Sequence, residues 1–205
     1  MLKAQGLACL RGDRLLFKDL SFALEAGGLL TVLGENGSGK SSLLRLLCGL
    51  LTPEQGEILW AGKPIKAHAE QYLPNLKYVG HLNGLKDDLS ALENLQMSAS
   101  LTGQDVSAAS ALAALTAIGI ARCAHLPVRV LSQGQKRRVA LAALWLSPSP
   151  LWILDEPFAA LDAAATEVLA ARIGEHLAAG GMTILTSHQD VAIKAKAAHT
   201  VSLSA

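Results

Sequence analysis

The stretch "LLTVLGENGSGKSSLLRLLCGL", Leu29 to Leu50, decides the fold. The unbroken apolar run Leu29–Leu33 reads as a strand covered on both faces, and the leucines after Lys40 recur at helical spacing. Between them lies "GENGSGKS", Gly34 to Ser41, which matches the pattern G-x-x-x-x-G-K-[ST] in its required setting of strand before and helix after. The chemistry explains the residue types. Gly34, Glu35, Asn36, Gly37, Ser38 and Gly39 would fold backbone N–H groups around phosphate oxygens, with Ser42 continuing the helix entrance. Lys40 would neutralise the β and γ oxygens, and the Ser41 hydroxyl would bind Mg²⁺.

A second stretch, "LWILDEP" (Leu151–Pro157), ends an apolar strand in two adjacent carboxylates. Ligands of open α/β sheets gather at that strand edge. Asp155 is expected to hold Mg²⁺ through water, and Glu156 to be the general base that polarises the attacking water. "TSHQD" (Thr186–Asp190) ends another apolar strand, which puts His188 at the same edge, in position to contact a γ-phosphate and align the water.

Working outward, further apolar runs at Lys77–Gly80, Leu151–Leu154, Met182–Thr186 and His199–Leu203 extend the expected parallel, crossover-connected sheet. Segments 3–24 and Gly56–Trp60 read as antiparallel strands at one side. From about 88 to 147 alanine and leucine dominate at helical spacing, so the expectation is one domain over 1–205 with a helical subdomain inserted in an α/β core. Within it, 106–121 ("VSAASALAALTAIGIA") is expected to form a buried helix.

Composition limits the partners. The 205 residues carry a formal net charge of +1, which argues against a broad nucleic-acid-binding face. No apolar run reaches the ~18–20 residues that cross a bilayer, and the start, "MLKAQGLACL", lacks the features of a secretory signal. The expectation is a cytosolic or peripheral protein. Cys9, Cys48 and Cys123 show no metal or redox spacing and read as reduced core residues.

A last stretch, "LSQGQKRR" (Leu131–Arg138), is a second polar, glycine-containing helix entrance that one phosphate loop does not require. Lys136, Arg137 and Arg138 read as a solvated helix face. Taken with "GENGSGKS", "LWILDEPFAALD" and "TSHQ", in this order, the chain resembles the ATP-binding subunits of ABC transporters over essentially its whole length. The resemblance implies a P-loop NTPase fold: an ABC-type nucleotide-binding domain with a mostly parallel core sheet, an antiparallel side sheet and a helical subdomain. It implies ATP and Mg²⁺ as cofactors, and a homodimer that packs head to tail around ATP. Ser132, Gly134 and Gln135 would then meet the γ-phosphate held by the other subunit, and Asp162 would reach across to the partner's site. Asp162 equally suits an N-cap for the helix that follows.

Three positions depart from that pattern. Gln133 stands where glycine is commoner. The adenine-stacking aromatic is replaced by Arg11, with Phe17 the nearest aromatic. The glutamine that links Mg²⁺ and water to the membrane subunit is missing, leaving His81, Leu82 or Asn83 in its place. In length, in "GH" before "GLK", and in "LSALENL" and "PVRVLSQGQKRRVALAALWL", the chain is most similar to the ATP-binding export subunits of cytochrome c biogenesis. That likeness implies ATP-driven haem export with membrane subunits of the CcmB and CcmC type, at the cytoplasmic face of the bacterial inner membrane. The alternative is an ATP-binding subunit for another exported substrate. No residue here has a haem-attachment pattern.

Overall fold

The computed structural model describes residues 1–189 and 191–203, so Asp190 of the "TSHQD" run lies outside it. The chain opens with strands β1 (Leu2–Arg11), β2 (Arg14–Leu24) and β3 (Gly28–Gly34), then helix α1 (Lys40–Leu47). Strands β4 (Gln55–Trp60) and β5 (Lys63–Pro64) follow, then the short helix α2 (Ala69–Tyr72) and strand β6 (Leu76–Val79). Three helices come next, α3 (Ala91–Ser100), α4 (Ala108–Ala117) and α5 (Gln133–Ala142). Strand β7 (Leu151–Leu154), helix α6 (Ala163–Ala178), β8 (Met182–Thr186) and β9 (Ala197–Leu203) complete the order.

The strands form two sheets. One is antiparallel, in the order β2-β1-β4-β5, and the other runs β6-β7-β8-β3-β9 with every pairing parallel. Each strand expected from an apolar run lies in the parallel sheet, and the early segments lie in the antiparallel one. Parallel strands need crossover connections, and α1 to α6 lie in those between β3 and β8. Strand β7 shows why its sequence is continuously apolar. Leu151 and Ile153 pack with α1 and the antiparallel sheet, while Trp152 and Leu154 pack with the helical layer and α6. All four are wholly buried.

The expected buried helix over 106–121 is corrected. Only Ala108–Ala117 is helical, it ends before Gly119 (φ 75°), and Leu112 is exposed. Ala111, Ala114 and Leu115 face the core, so the helix covers the subdomain surface instead of filling its centre. A charge-free, alanine-rich composition hid this because alanine suits a helix on either face.

Candidate functional site

The parallel sheet brings the C-terminal ends of β3, β7 and β8 to one edge, and the chemistry lies there. At the end of β3 the chain turns through Gly34, Gly37 and Gly39, with φ of 152°, 82° and 101°. Gly34 also has no room for a side chain: a Cβ would overlap Ser38 Oγ and stand 2.6 Å from the Leu203 carbonyl. Gly39 is the N-cap of α1 and supplies no capping side chain. The first helical bond runs from Leu43 N–H to the Gly39 carbonyl at 2.8 Å. The N–H groups of Lys40, Ser41 and Ser42 precede it and point out of the helix entrance, where positive potential collects.

Lys40 Nζ donates to the carbonyls of Gly34 (2.7 Å) and Glu35 (3.0 Å), so its ammonium arches back over the loop. Ser38 Oγ is buried with no hydrogen-bond partner. Ser41 is exposed at the entrance, and Glu35, Asn36 and Gly37 are exposed on the loop. This is a cradle of hydrogen-bond donors with one buried cation, suited to a polyanion.

Asp155 follows β7 and is 2 % exposed. Its backbone N–H donates to the Val79 carbonyl, and its Oδ1 accepts from the Thr186 hydroxyl at 2.8 Å. That same hydroxyl oxygen accepts the Glu156 N–H at 2.8 Å. Glu156 has φ 48°, a left-handed conformation that costs a residue with a side chain of order 1 kcal/mol and persists where neighbours over-determine it. Its carboxylate Oε1 lies 3.3 Å from His188 Nε2, so the two sequence-expected catalytic side chains meet directly. Thr186 had no role in the sequence reading, although a polar residue closing an apolar strand beside the carboxylates was a usable signal.

The expected solvated face of Lys136, Arg137 and Arg138 is corrected at its middle member. Arg137 is 5 % exposed and donates to Gly80, Asn83, Asp155 and Glu156. Burial pulls its pKa down while the nearby carboxylates of Asp155 and Glu156 favour its charge. Lys136 and Arg138 keep to the surface side and pair with Asp87 (3.1 Å) and Asp162 (2.5 Å). A run of three cations conceals helical spacing, in which the central one turns inward while its neighbours face out.

Ser132 caps α5 with a capping box: its hydroxyl accepts the Gln135 N–H, and Gln135 Oε1 accepts the Ser132 N–H at 2.8 Å. The Gln135 amide also donates to Cys123 Sγ at 3.6 Å. Gly134 packs so closely on the Ala160 carbonyl that a Cβ would stand 2.8 Å from it. Gln133 is exposed. A cavity of about 330 Å³ opens here, lined by Arg122, Cys123, Ser132, Gly134, Gln135 and Arg138. Among the described residues no hydrogen bond or ion pair joins 132–138 to the phosphate loop.

Asp162 is the N-cap of α6, with Oδ1 accepting from the Ala165 N–H at 2.9 Å and Oδ2 paired with Arg138. The Ala165 N–H and then Arg138 hold its carboxyl below the usual range. Phe17 is buried beneath Gly39, with its ring 3.3 Å from a Cβ built there, which removes it as a base platform; Arg11 is exposed at the end of β1. In the loop after β6, His81 is exposed and Leu82 is 84 % exposed. Asn83 turns in to accept from Arg137 Nη1 at 3.2 Å.

Comparison with known proteins follows the same lines. The profile of the ABC transporter family matches residues 17–159. The cytochrome c biogenesis ATP-binding export protein CcmA of Nitrosomonas europaea is 50% identical over 204 residues, covering 100% of this chain and 96% of that protein. The protein of the same name from Dechloromonas aromatica is 52% identical over 195 residues, covering 95% and 96%. Among solved structures, an ABC transporter ATP-binding protein from Pyrococcus furiosus superposes with a TM-score of 0.85 at 25% identity, covering 98% of this chain and 96% of that one. A dimeric ATP-binding cassette bound to ADP and Pi superposes with a TM-score of 0.81 at 22% identity, covering 92% and 88%, which is a likeness of fold.

Proposed function

The chain belongs to the ABC transporter family, as an ATP-binding, ATP-hydrolysing subunit, and we propose that it drives haem export or handling for the maturation of c-type cytochromes. The cargo is inferred from the name shared by relatives that match along nearly their whole length. In the proposed assembly two copies pack head to tail around ATP and dock on membrane subunits, of the CcmB and CcmC type, at the cytoplasmic face of the inner membrane. No described helix is long and apolar enough to cross a bilayer, so the membrane attachment is assigned to those partners. The whole chain, 1–205, acts as one domain, with about 88–147 as its helical part.

Within the site, the backbone donors of residues 34–42 bind the phosphates, and Lys40 exchanges the Gly34 and Glu35 carbonyls for phosphate oxygens. Ser41 and Asp155 would hold Mg²⁺. Their hydroxyl and carboxylate are hard oxygen donors, and one protein carboxylate beside substrate phosphates is the ligand set that this ion favours. When bound, Mg²⁺ offsets the charge that builds on the phosphate oxygens. Thr186 keeps one Asp155 oxygen hydrogen-bonded and thereby fixes the plane of the carboxylate.

Glu156 takes the proton from the attacking water, and His188 steadies both the carboxylate and the γ-phosphate. Ser132, Gly134, Gln135 and Asp162 act on the nucleotide of the other subunit. The observation that carries this reading is Glu156, backbone-locked beside a buried Asp155 and 3.3 Å from His188. Glu156→Gln keeps the shape and removes the base. ATP should still bind in a calorimetric titration while phosphate release slows by roughly 10² or more; parent-like turnover would move the base elsewhere. For the cargo, the membrane protein that co-purifies with the chain is decisive, and a permease from an unrelated export system would overturn the haem assignment.

A further inference from the structure

Arg137 lies outside the set of residues assigned to the nucleotide, yet it is the most heavily engaged side chain beside the site. Its Nη1 donates to the Gly80 carbonyl (2.7 Å) and to Asn83 Oδ1 (3.2 Å). Its Nη2 donates to the carbonyls of Asp155 (2.7 Å) and Glu156 (2.9 Å). These contacts occupy all four terminal N–H bonds of the guanidinium. Only Nε is left without a partner. A buried cation is costly unless its geometry is well satisfied, so these acceptors set where the fork lies.

The acceptors belong to two segments that are distant in sequence. One is the loop after β6, and the other is the carboxylate pair after β7. Arg137 itself belongs to α5, the helix that begins at Ser132. One side chain therefore ties three segments together at one point. Glu156 is where the tie has chemical leverage. Thr186 holds its N–H, Arg137 holds its carbonyl, and His188 meets its carboxylate. That carbonyl also accepts the Ala159 N–H at 3.1 Å, so the guanidinium adds the charged second bond at 2.9 Å, and losing it removes part of what keeps a glutamate at φ 48°.

We propose that Arg137 is a positioning residue for hydrolysis. It clamps Glu156 in the left-handed conformation that aims its carboxylate at His188, and it ties that conformation to the 80–83 loop. A displacement of the loop or of α5 then reaches the base through one guanidinium. The inference rests on the reading of Glu156 as the base and adds the residue that sets it. Lysine cannot replace the fork, because a single ammonium with three donors does not span four acceptors in one plane.

The test uses the full chain. Arg137→Met keeps an apolar stem and loses the fork, whereas Arg137→Lys keeps the charge. Expected are falls in kcat of about tenfold or more for Met and about two- to fivefold for Lys, with KM and the calorimetric Kd for ATP within about twofold of the parent. A risen KM or Kd with kcat intact would overturn the proposal, as would a fall in kcat matched by an equal fall in ATP-binding stoichiometry. Asn83→Ala removes only the loop-side acceptor and covers the case in which Arg137→Met does not fold. It should lower kcat about threefold at constant KM, and the double variant should be no slower than Arg137→Met. Unchanged kcat in Asn83→Ala overturns the tie. Glu156→Gln separates the two readings. Parent-like turnover there removes the base and with it the premise. A dead Glu156→Gln beside parent-like Arg137 and Asn83 variants removes this inference alone.

Discussion

Helix α1 begins at Gly39, whose left-handed backbone offers no side chain to the N–H groups that follow, whereas α5 begins at Ser132, whose hydroxyl and the Gln135 amide bridge each other's backbone. Helices α3, α4 and α6 are also capped, by Ser90, Ser107 and Asp162. Among the described helices of eight or more residues, α1 alone starts bare. Against a side-chain cap, a glycine entrance forgoes roughly a few tenths of a kcal/mol and leaves its N–H groups open. On the proposed reading, the cap's place is kept for phosphate. The closed entrance of α5 is stable without any ligand, and only the Gln133 and Gly134 N–H groups stay outside its capping box. On the proposed reading, a neighbour's nucleotide then adds contacts to a finished helix and supplies none that it lacked.

The largest expected effect breaks the bare entrance. Lys40→Ala removes the only cation of the cradle, and charged hydrogen bonds of about 1.5–3 kcal/mol each imply a loss of ATP affinity of about 10²-fold or more. A calorimetric titration checks it. Near-parent affinity would mean that the cradle does not bind phosphate.

Next comes the closed entrance. Ser132→Arg places a bulky cation where the second subunit should close, so first-ATP binding should stay within about twofold while turnover falls about tenfold or more. A mixed dimer of Lys40→Ala with Ser132→Arg concentrates both lesions in one composite site and leaves the other intact. ATP-driven closure at one site in that mixture supports head-to-tail packing. Equal loss of ATP binding and of turnover in Ser132→Arg alone would instead place Ser132 in its own chain's site.

Both entrances were legible in the sequence, but to different depths. "GENGSGKS" between an apolar strand and a leucine-spaced helix fixes loop, strand and helix together, because no other common use of that pattern needs all three. The alternation hidden in "LWIL" was likewise readable, since a strand buried on both faces has no polar side to show. What stayed hidden depended on contacts between distant segments. Arg137 sits in a run of cations whose local context suggests solvent, and its acceptors at 80–83 and 155–156 meet it only when the sheet assembles. Thr186 acquires a role only because β8 lies beside β7. The left-handed φ of Glu156 has no sequence signal at all, since that conformation is set by what holds its two peptide groups.

A smaller effect sharpens the contrast. Gln135→Ala opens one half of the capping box: the Ser132 N–H loses its partner, while the Ser132 hydroxyl still accepts the backbone N–H of residue 135. The expected cost is about 1 kcal/mol, read as a melting temperature lower by about 2–4 °C in a chain of this size. Added ATP should not restore the difference, because the opened donor of α5 lies apart from the chain's own phosphate loop. Recovery on ATP alone, at concentrations too low for dimers, would mean that the two entrances share one ligand.

The smallest effect concerns the third kind of entrance, that of α6, where one carboxylate serves a helix cap and an ion pair together. Asp162→Asn keeps an oxygen for the Ala165 N–H and drops the pairing with Arg138, while Asp162→Ala drops both. Asparagine caps about as well as aspartate, and exposed ion pairs contribute little, so the Asn variant should melt within about 1 °C of the parent and the Ala variant about 1–2 °C lower. The pH dependence has a fixed sign. A carboxyl held below its usual range stabilises the fold above the unfolded value near pH 4, and that contribution is lost as pH falls through the lowered folded value. The small gap between parent and Asn variant should therefore be present at pH 6, narrow with added salt, and close below about pH 4. Equal melting of the Asn and Ala variants would show that the cap contributes nothing and that Arg138 alone holds the carboxylate, which would make α6 as bare an entrance as α1.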